Sequence, residues 1–362
     1  MVKRTRYFIA VLLAVVLIVS SACTNRNSQG VEKSQNQSNT IRQLALSPDD
    51  ARIPLVEQNG MKYVPLQELT NVIGFQTKWI PETTSLAIGD IDAFYQLTMN
   101  STQAEIEEKI IQLSSAPNMI DGKMHVSVDV MDDVFKEDMH YKVVENELIV
   151  HGVSLEPGME NLDDAEETDT TEVDFFGDDP NDPFKGDDPE GETDLSTEQN
   201  TIDEQISQGQ GPGQTGGGED GKSFQAAALR NINMNSLIRV ARRYLGVPYD
   251  FGTGPYQRTG KFDCSSYTQY VFGKFGVKLT RISRNQARQG VWVSRRLLRK
   301  GDLVFFAVPG RFKSNRTVGH VGIYIGNGKM INTFSNKKGV HITYVNRGYW
   351  SKKFLSAKRV AY

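Results

Sequence analysis

Cysteine is almost absent: Cys23 and Cys264 are the two in 362 residues. A disulfide framework is thereby excluded, and the folded parts must rest on ordinary apolar cores. Histidine is scarce too, and His125, His140 and His151 stand at spacings that suit no metal ion. No metal or other cofactor is expected. No apolar run reaches the roughly 20 residues that span a bilayer; the Tyr7–Val19 run is too short. Carboxylates are nearly missing from the end of the chain: beyond Ser223 there is no Glu, and the only Asp residues are Asp250, Asp263 and Asp302. Basic residues are nearly missing from 156–222, a stretch that holds half of the chain's carboxylates. The net charge of −3 is a cancellation between an acidic middle and a basic end.

The chain starts with Lys3, Arg4 and Arg6, followed by the Tyr7–Val19 run and Ser20-Ser21-Ala22-Cys23. A basic region, a short apolar one and small residues make a signal peptide over 1–22. The last residues resemble a bacterial lipobox, with Ser20 where Leu is usual. The resemblance implies that Cys23 is the diacylated first residue of a lipoprotein on the extracellular face of the membrane. Release after simple cleavage and an uncleaved anchor are the alternatives. Residues 23–49 read as a polar tether.

Residues 50–155 contain an internal repeat at an offset of about 62 residues. Asn59-Gly60-Met61-Lys62-Tyr63-Val64 aligns with Asp121-Gly122-Lys123-Met124-His125-Val126, and Leu69, Val72 and Ile73 align with Met131, Val134 and Phe135. Each copy reads as a hairpin turn, a strand, a short amphipathic helix and a second hairpin. The pattern resembles the copper amine oxidase N-terminal-like domain of secreted Gram-positive proteins. No metal ligands accompany it, so it is expected to bind or to space.

Residues 156–222 are rich in Asp, Glu, Gly, Pro, Ser, Thr and Gln, and are expected to form a disordered linker extended by self-repulsion. Asp178-Asp179-Pro180-Asn181-Asp182 lacks the spaced ligands, turn glycine and closing Glu of a calcium loop. A second expectation is that this acid lies against the basic domain that follows.

In 223–362 the excess of Lys and Arg attracts anionic polymers. For an exported chain these are wall polymers rather than nucleic acid. Leu237, Ile238, Ala241 and Leu245 mark a helix capped by Asn235 or Ser236 and stopped by Gly246 and Pro248. Tyr267, Tyr270, Val271 and Phe275 mark a second helix, with Asp263 as N-cap and Cys264 in its first turn. Unpaired N–H groups there favour a thiolate, whereas the plainer reading is a buried apolar Cys. Apolar segments 302–308, 320–325, 329–334 and 340–345 have strand character. Helices followed by an antiparallel sheet make the fold class α+β.

A cysteine nucleophile needs a base, and the base needs an orienting group. His320 opens an alternating strand, and Asn332 lies on the next one, beyond Gly326-Asn327-Gly328. A strict two-residue loop would turn Asn332 away. A three-residue loop puts Gly322 opposite Asn332 and brings His320 and Asn332 to one face, which is the expected geometry. His341 is expected to be structural.

The order Leu-Gly-Val-Pro-Tyr, Asp-Cys-Ser, Gly-Asp-Leu-Val-Phe-Phe, Gly-His-Val-Gly-Ile-Tyr-Ile-Gly-Asn-Gly resembles the NlpC/P60 family of cell-wall cysteine peptidases over about the last 125 residues. The resemblance implies a papain-like core that hydrolyses peptidoglycan stem peptides between D-γ-glutamyl and a diamino acid. It implies Cys264 as nucleophile, His320 as base and Asn332 as the third polar group, where His is commoner. It also implies a substrate groove of Tyr249, Asp263, Ser265, Arg281 and Ser283, with Tyr249 and Asp263 holding the free amine of the stem. Asp263 thus has two readings, helix cap and amine anchor. Ser266 departs from the family's usual Gly, as does Thr253. The readings to be separated are a tethered D,L-endopeptidase, a non-catalytic wall-binding lipoprotein, and amidase or acyl-transfer chemistry on the same three groups.

Overall fold

A computed structural model describes residues 50–136, 138–151, 176–185, 231–308 and 316–362. The signal peptide, Cys23, the tether and most of the acidic linker lie outside the described residues. Within them, no helix is long and apolar enough to cross a membrane.

The repeat folds as two matching halves. The first half has strands β1 (Ala51–Pro54), β2 (Val56–Gln58) and β3 (Met61–Pro65), helix α1 (Leu66–Val72), and strands β4 (Gln76–Ile80) and β5 (Ser85–Gly89). Strands β6 (Ala93–Thr98), β7 (Gln103–Ile106) and β8 (Lys109–Gln112) follow as an excursion. The second half has β9 (Asn118–Ile120), β10 (Lys123–Ser127), α2 (Val128–Phe135), β11 (His140–Val144) and β12 (Glu147–His151). Asn59-Gly60 and Asp121-Gly122 both turn with positive φ, as the hairpins require. The central strands β3 and β10 pair antiparallel with Val64 opposite Val126, which are equivalent residues of the two copies. A pseudo-twofold axis therefore passes through that pair. Leu69, Ile73, Met131 and Phe135 fill the core between the halves.

The halves differ where β5 runs into β6. The first copy's hairpin grows into a five-stranded sheet β4-β5-β6-β7-β8, whereas the second copy's hairpin pairs with β1. The β5–β6 connection is the short loop Asp90-Ile91-Asp92. Gly89 is required there, because a Cβ at that position would overlap the Asp92 carbonyl.

The C-terminal module starts with α3 (Met234–Arg242). Its cap is Asn233, whose side chain accepts from the Ser236 N–H at 2.9 Å. The expected caps, Asn235 and Ser236, lie inside the helix, and Leu245 lies past its end. Asn233 wins because its side chain reaches an N–H three residues on, the geometry of an N-cap. Short helix α4 (Tyr256–Thr259), helix α5 (Cys264–Gly273) and short helix α6 (Ser283–Gln286) follow. The sheet comprises β13 (Val291–Val293), β14 (Leu303–Ala307), β15 (Val318–Gly326), β16 (Lys329–Asn332), β17 (His341–Tyr344) and β18 (Phe354–Arg359), with α7 (Gly348–Lys353) before the last strand. Its order is β13-β18-β14-β15-β16-β17, antiparallel throughout. Helices on an antiparallel sheet confirm the α+β class. Strands β13 and β18 gave no clear alternation in the sequence.

The β15–β16 hairpin reaches the expected register by another route. The turn is a two-residue one, Asn327-Gly328, both with positive φ. A bulge between Tyr324 and Gly326 adds the missing residue, so Ile323 faces Ile331. Continued by one step, that register sets Gly322 beside Asn332; a Cβ on Gly322 would stand 3.2 Å from the Asn332 Cβ.

Residues 176–185 of the acidic linker lie along the C-terminal module. The Arg299 Nε donates to Asp179 at 2.6 Å, and the Tyr324 hydroxyl donates to Asp178 at 2.7 Å. Asp182 accepts the Lys300 N–H at 3.0 Å. The acid expected to lie in a disordered, solvated linker is thus spent on protein donors in this stretch.

Both modules belong to one compact unit. Their cores exchange residues: Ala87 and Ile91 pack into the C-terminal core, and Ile282 packs into the N-terminal one.

Candidate active site

Helix α5 is fixed at its start by a capping box. The Asp263 side chain accepts the Ser266 N–H at 2.9 Å, and the Ser266 hydroxyl accepts the Asp263 N–H at 2.9 Å. Ser266, the departure from the family's Gly, is therefore half of the cap. The Asp263 carboxylate is also held by Arg281, whose Nη1 lies 2.9 Å from one oxygen and whose Nη2 bonds the other. Nη1 donates to Ser265 Oγ at 3.0 Å, and Nη2 to the Thr253 carbonyl at 3.0 Å. Of the two readings of Asp263, the cap is what the structure displays. An ammonium would have to compete with Arg281 for it.

Cys264 is fully buried in the first turn of α5. The Val321 N–H, next to His320 on β15, bonds to it and favours the thiolate. His320 is likewise fully buried. Its ring stacks on Trp350 at 4.6 Å and meets Phe334 edge-on at 5.9 Å.

The imidazole tautomer follows from the hydrogen-bond network. Asn332 Nδ2 donates to the His341 carbonyl at 3.4 Å, which turns Asn332 Oδ1 toward His320. His320 Nε2 lies 2.9 Å from that oxygen and must donate to it. Nδ1 then carries the lone pair, and among the described residues it has no hydrogen-bond partner. A neutral imidazole with a free basic nitrogen results, held by an amide as in the papain-like arrangement. His341 contributes through its backbone: it pairs with Asn332 across β16 and β17, and its own Nδ1 contacts the Gly339 carbonyl at 2.8 Å.

Burial depresses the His320 pKa to about 3, against the opposing effect of the Asn332 bond. Burial pushes the Cys264 thiol well up, and Asp92, then Asp263, add to it. The expectation that the helix start yields a thiolate is not met in this state, because desolvation and two carboxylates outweigh the helix dipole.

Asp92 has no place in the sequence motifs. It comes from the β5–β6 loop of the other module. The Cys264 thiol donates to its Oδ1 at 3.3 Å, the Ser265 hydroxyl donates to the same oxygen, and the Ser283 N–H donates to Oδ2 at 2.7 Å. The Tyr249 hydroxyl donates to the neighbouring Ile91 carbonyl at 3.1 Å. The structure thus pairs His320 with Asn332 and sets Cys264 against Val321, the residue after His320. Asp263, Ser265 and Arg281 form one network with Asp92, which also holds Ser283. The only legible signal for Asp92 was the acidic Gly-Asp-Ile-Asp stretch between two strands. Among the described residues, no group of His, Cys, Asp and Glu is arranged to hold a metal.

A thiol on a helix start, set against an antiparallel sheet that carries an imidazole and an amide, defines a papain-like thiol module. The NlpC/P60 family model matches residues 246–359, and the Copper amine oxidase N-terminal domain model matches residues 48–150. Over 153 residues the chain is 36% identical to the Murein DD-endopeptidase MepS/Murein LD-carboxypeptidase of Escherichia coli, covering 40% of this chain and 75% of that one. It is 37% identical over 125 residues to the Bifunctional muramidase/DL-endopeptidase CwlT of Bacillus subtilis, covering 34% of this chain and 36% of the relative. It is 34% identical over 126 residues to the Gamma-D-glutamyl-L-lysine dipeptidyl-peptidase of Bacillus cereus, covering 34% and 36%. The chain thus spans 36% of the length of these last two relatives. A crystal structure of a NlpC/P60 family protein from Bacillus cereus matches with 32% identity, 37% and 42% coverage and a TM-score of 0.32. The chain belongs to the NlpC/P60 family.

Proposed function

We propose that the protein is a peptidoglycan endopeptidase that cuts stem peptides between D-γ-glutamyl and the diamino acid. The observation that carries this reading is the His320 tautomer, with Nε2 bound to Asn332 and Nδ1 free. Cys264 passes its proton to Nδ1 and attacks the γ-glutamyl carbonyl. In this reading the Cys264 N–H and the Tyr249 hydroxyl, once it leaves the Ile91 carbonyl, steady the oxyanion. The imidazolium then protonates the leaving amine, and water hydrolyses the thioester with His320 again as base. Tyr249, Asp263, Ser265, Arg281 and Ser283 line the substrate groove. The choice of bond is supported by two relatives, one named a DL-endopeptidase and the other a γ-D-glutamyl-L-lysine dipeptidyl-peptidase. Diacylated Cys23 holds the chain on the outer membrane face, within reach of the wall.

Digestion of purified peptidoglycan, read by mass spectrometry, tests the proposal. The expected products end in D-γ-glutamyl and begin with the diamino acid. Cys264→Ala abolishes them, and Asn332→Ala lowers kcat by about a hundredfold with KM little changed. Removing the Asn332 bond also lowers the His320 pKa, so the acid limb of the rate profile moves to lower pH. Products cut at another bond, or undiminished products from Cys264→Ala, overturn the reading.

A further inference from the structure

The site just described is closed. Cys264, His320, Asp263 and Asn332 are each 0% exposed. Against the sulfur lies the loop Asp90-Ile91-Asp92, whose Asp92 accepts from the thiol at 3.3 Å. Ile91 is itself 0% exposed and packs into the C-terminal core. Three of the five expected substrate contacts are taken by this loop: Tyr249 by the Ile91 carbonyl, and Ser265 and Ser283 by the Asp92 carboxylate. A cleft of about 670 Å³ between the modules reaches Thr253 and Arg281, but its lining includes neither Cys264 nor His320. The free volume of this cleft stops short of the chemistry.

The loop is held by a complementary surface around it as well as by its own residues. Glu107 and Glu108 form the β7–β8 turn, both with positive φ. Glu107 pairs with Arg284 at 2.7 Å and with Arg288 at 3.3 Å. Glu108 accepts the Arg281 N–H at 2.6 Å and the Asn285 amide at 2.9 Å. On the other flank, Lys78 pairs with Asp250 at 2.6 Å, and Gln76 donates to the Tyr249 hydroxyl at 3.1 Å. At Gly252 the modules approach so closely that a Cβ would stand 3.2 Å from the Ala93 Cβ.

We propose that the N-terminal module is a built-in inhibitor of the NlpC/P60 module: its Asp90–Asp92 loop occupies the substrate groove and sets a carboxylate on the Cys264 thiol, so the site reaches its full rate only when that module is displaced. The inference rests on the peptidase reading of the site. It combines two effects. The loop excludes a substrate carbonyl from the sulfur, and a carboxylate beside the thiol disfavours the thiolate. Displacement reverses both, because it admits water and removes the Asp92 charge.

The test uses the full chain, and reads the rate at which iodoacetamide alkylates Cys264, by peptide mass spectrometry, beside the peptidoglycan digest. Asp92→Lys sets a cation next to Arg281 and drives the loop out. Glu107→Lys with Glu108→Lys reverses the charge of the outer turn and leaves the Asp90–Asp92 loop itself unaltered, and serves if the first variant fails to fold. We expect alkylation at least tenfold faster in either folded variant than in the wild type, with digestion rising in parallel. Alkylation equal within twofold overturns the inhibitor, and so does wild-type digestion as fast as the variants'. If alkylation rises but no variant digests peptidoglycan, the covering loop stands and the peptidase reading falls. If the wild type alkylates and digests freely, the peptidase reading stands and the inhibitor falls.

Discussion

His320 shows how burial and one amide set a side chain's chemistry. Enclosed by Trp350, Phe334 and Phe306, it is neutral far below the usual imidazole range, near pH 3. In the unfolded chain it takes up a proton near pH 6.5. Its contribution to stability is therefore present above about pH 6.5 and is lost as the pH falls toward 3, at about 1.4 kcal/mol per pH unit. Denaturant unfolding at pH 7 and pH 5 checks this: the wild type should lose about 2 kcal/mol more than His320→Gln over that interval. Equal losses would show that His320 titrates normally. The nomination of Cys264, His320 and Asn332 was legible because a thiol, an imidazole and an amide are rare residues at motif positions. Asp92 was not, because a single acid in a loop has no periodicity and belongs to a different module.

At the scale of elements, the start of α5 joins two supports, a cap and an ion pair. Removing one half of the capping box, Ser266→Gly, costs about 1 kcal/mol. Asp263→Asn keeps a capping oxygen but leaves Arg281 with no carboxylate partner there, at a cost of about 3 kcal/mol. Urea unfolding of the two variants should rank them in that order. The reverse order would mean that the cap, not the ion pair, fixes the helix. Here the sequence was informative about kind and less so about position. The Asp263 cap was predicted correctly, whereas the α3 cap fell two residues earlier, on Asn233. The hairpin reached its register through a bulge, which depends on how β15 sits between β14 and β16 and has no local signature.

At the scale of the whole molecule, charge segregation along the chain becomes contact in space. The acidic linker stretch 176–185 lies on the basic module, and the acidic β7–β8 turn lies on Arg281, Arg284 and Arg288. If Asp179 anchors the former stretch through Arg299, Asp179→Lys frees it, and trypsin should cleave after Lys185 several-fold faster than in the wild type. An unchanged rate would show that Phe176, seated edge-on against Phe354 at 5.2 Å, holds the stretch without the ion pair.

The sequence by itself determined the two modules, the twofold repeat, the α+β class and the nomination of Cys264, His320 and Asn332. Each of these follows from local patterns: turn residues, alternation, capping and the rarity of reactive side chains. Only the tertiary structure decided that the thiol is neutral and covered, that Asp263 is taken by Arg281, and that Asp92 of one module rests on the cysteine of the other. Those facts depend on desolvation and on contacts between residues more than 170 positions apart, and no local pattern encodes either.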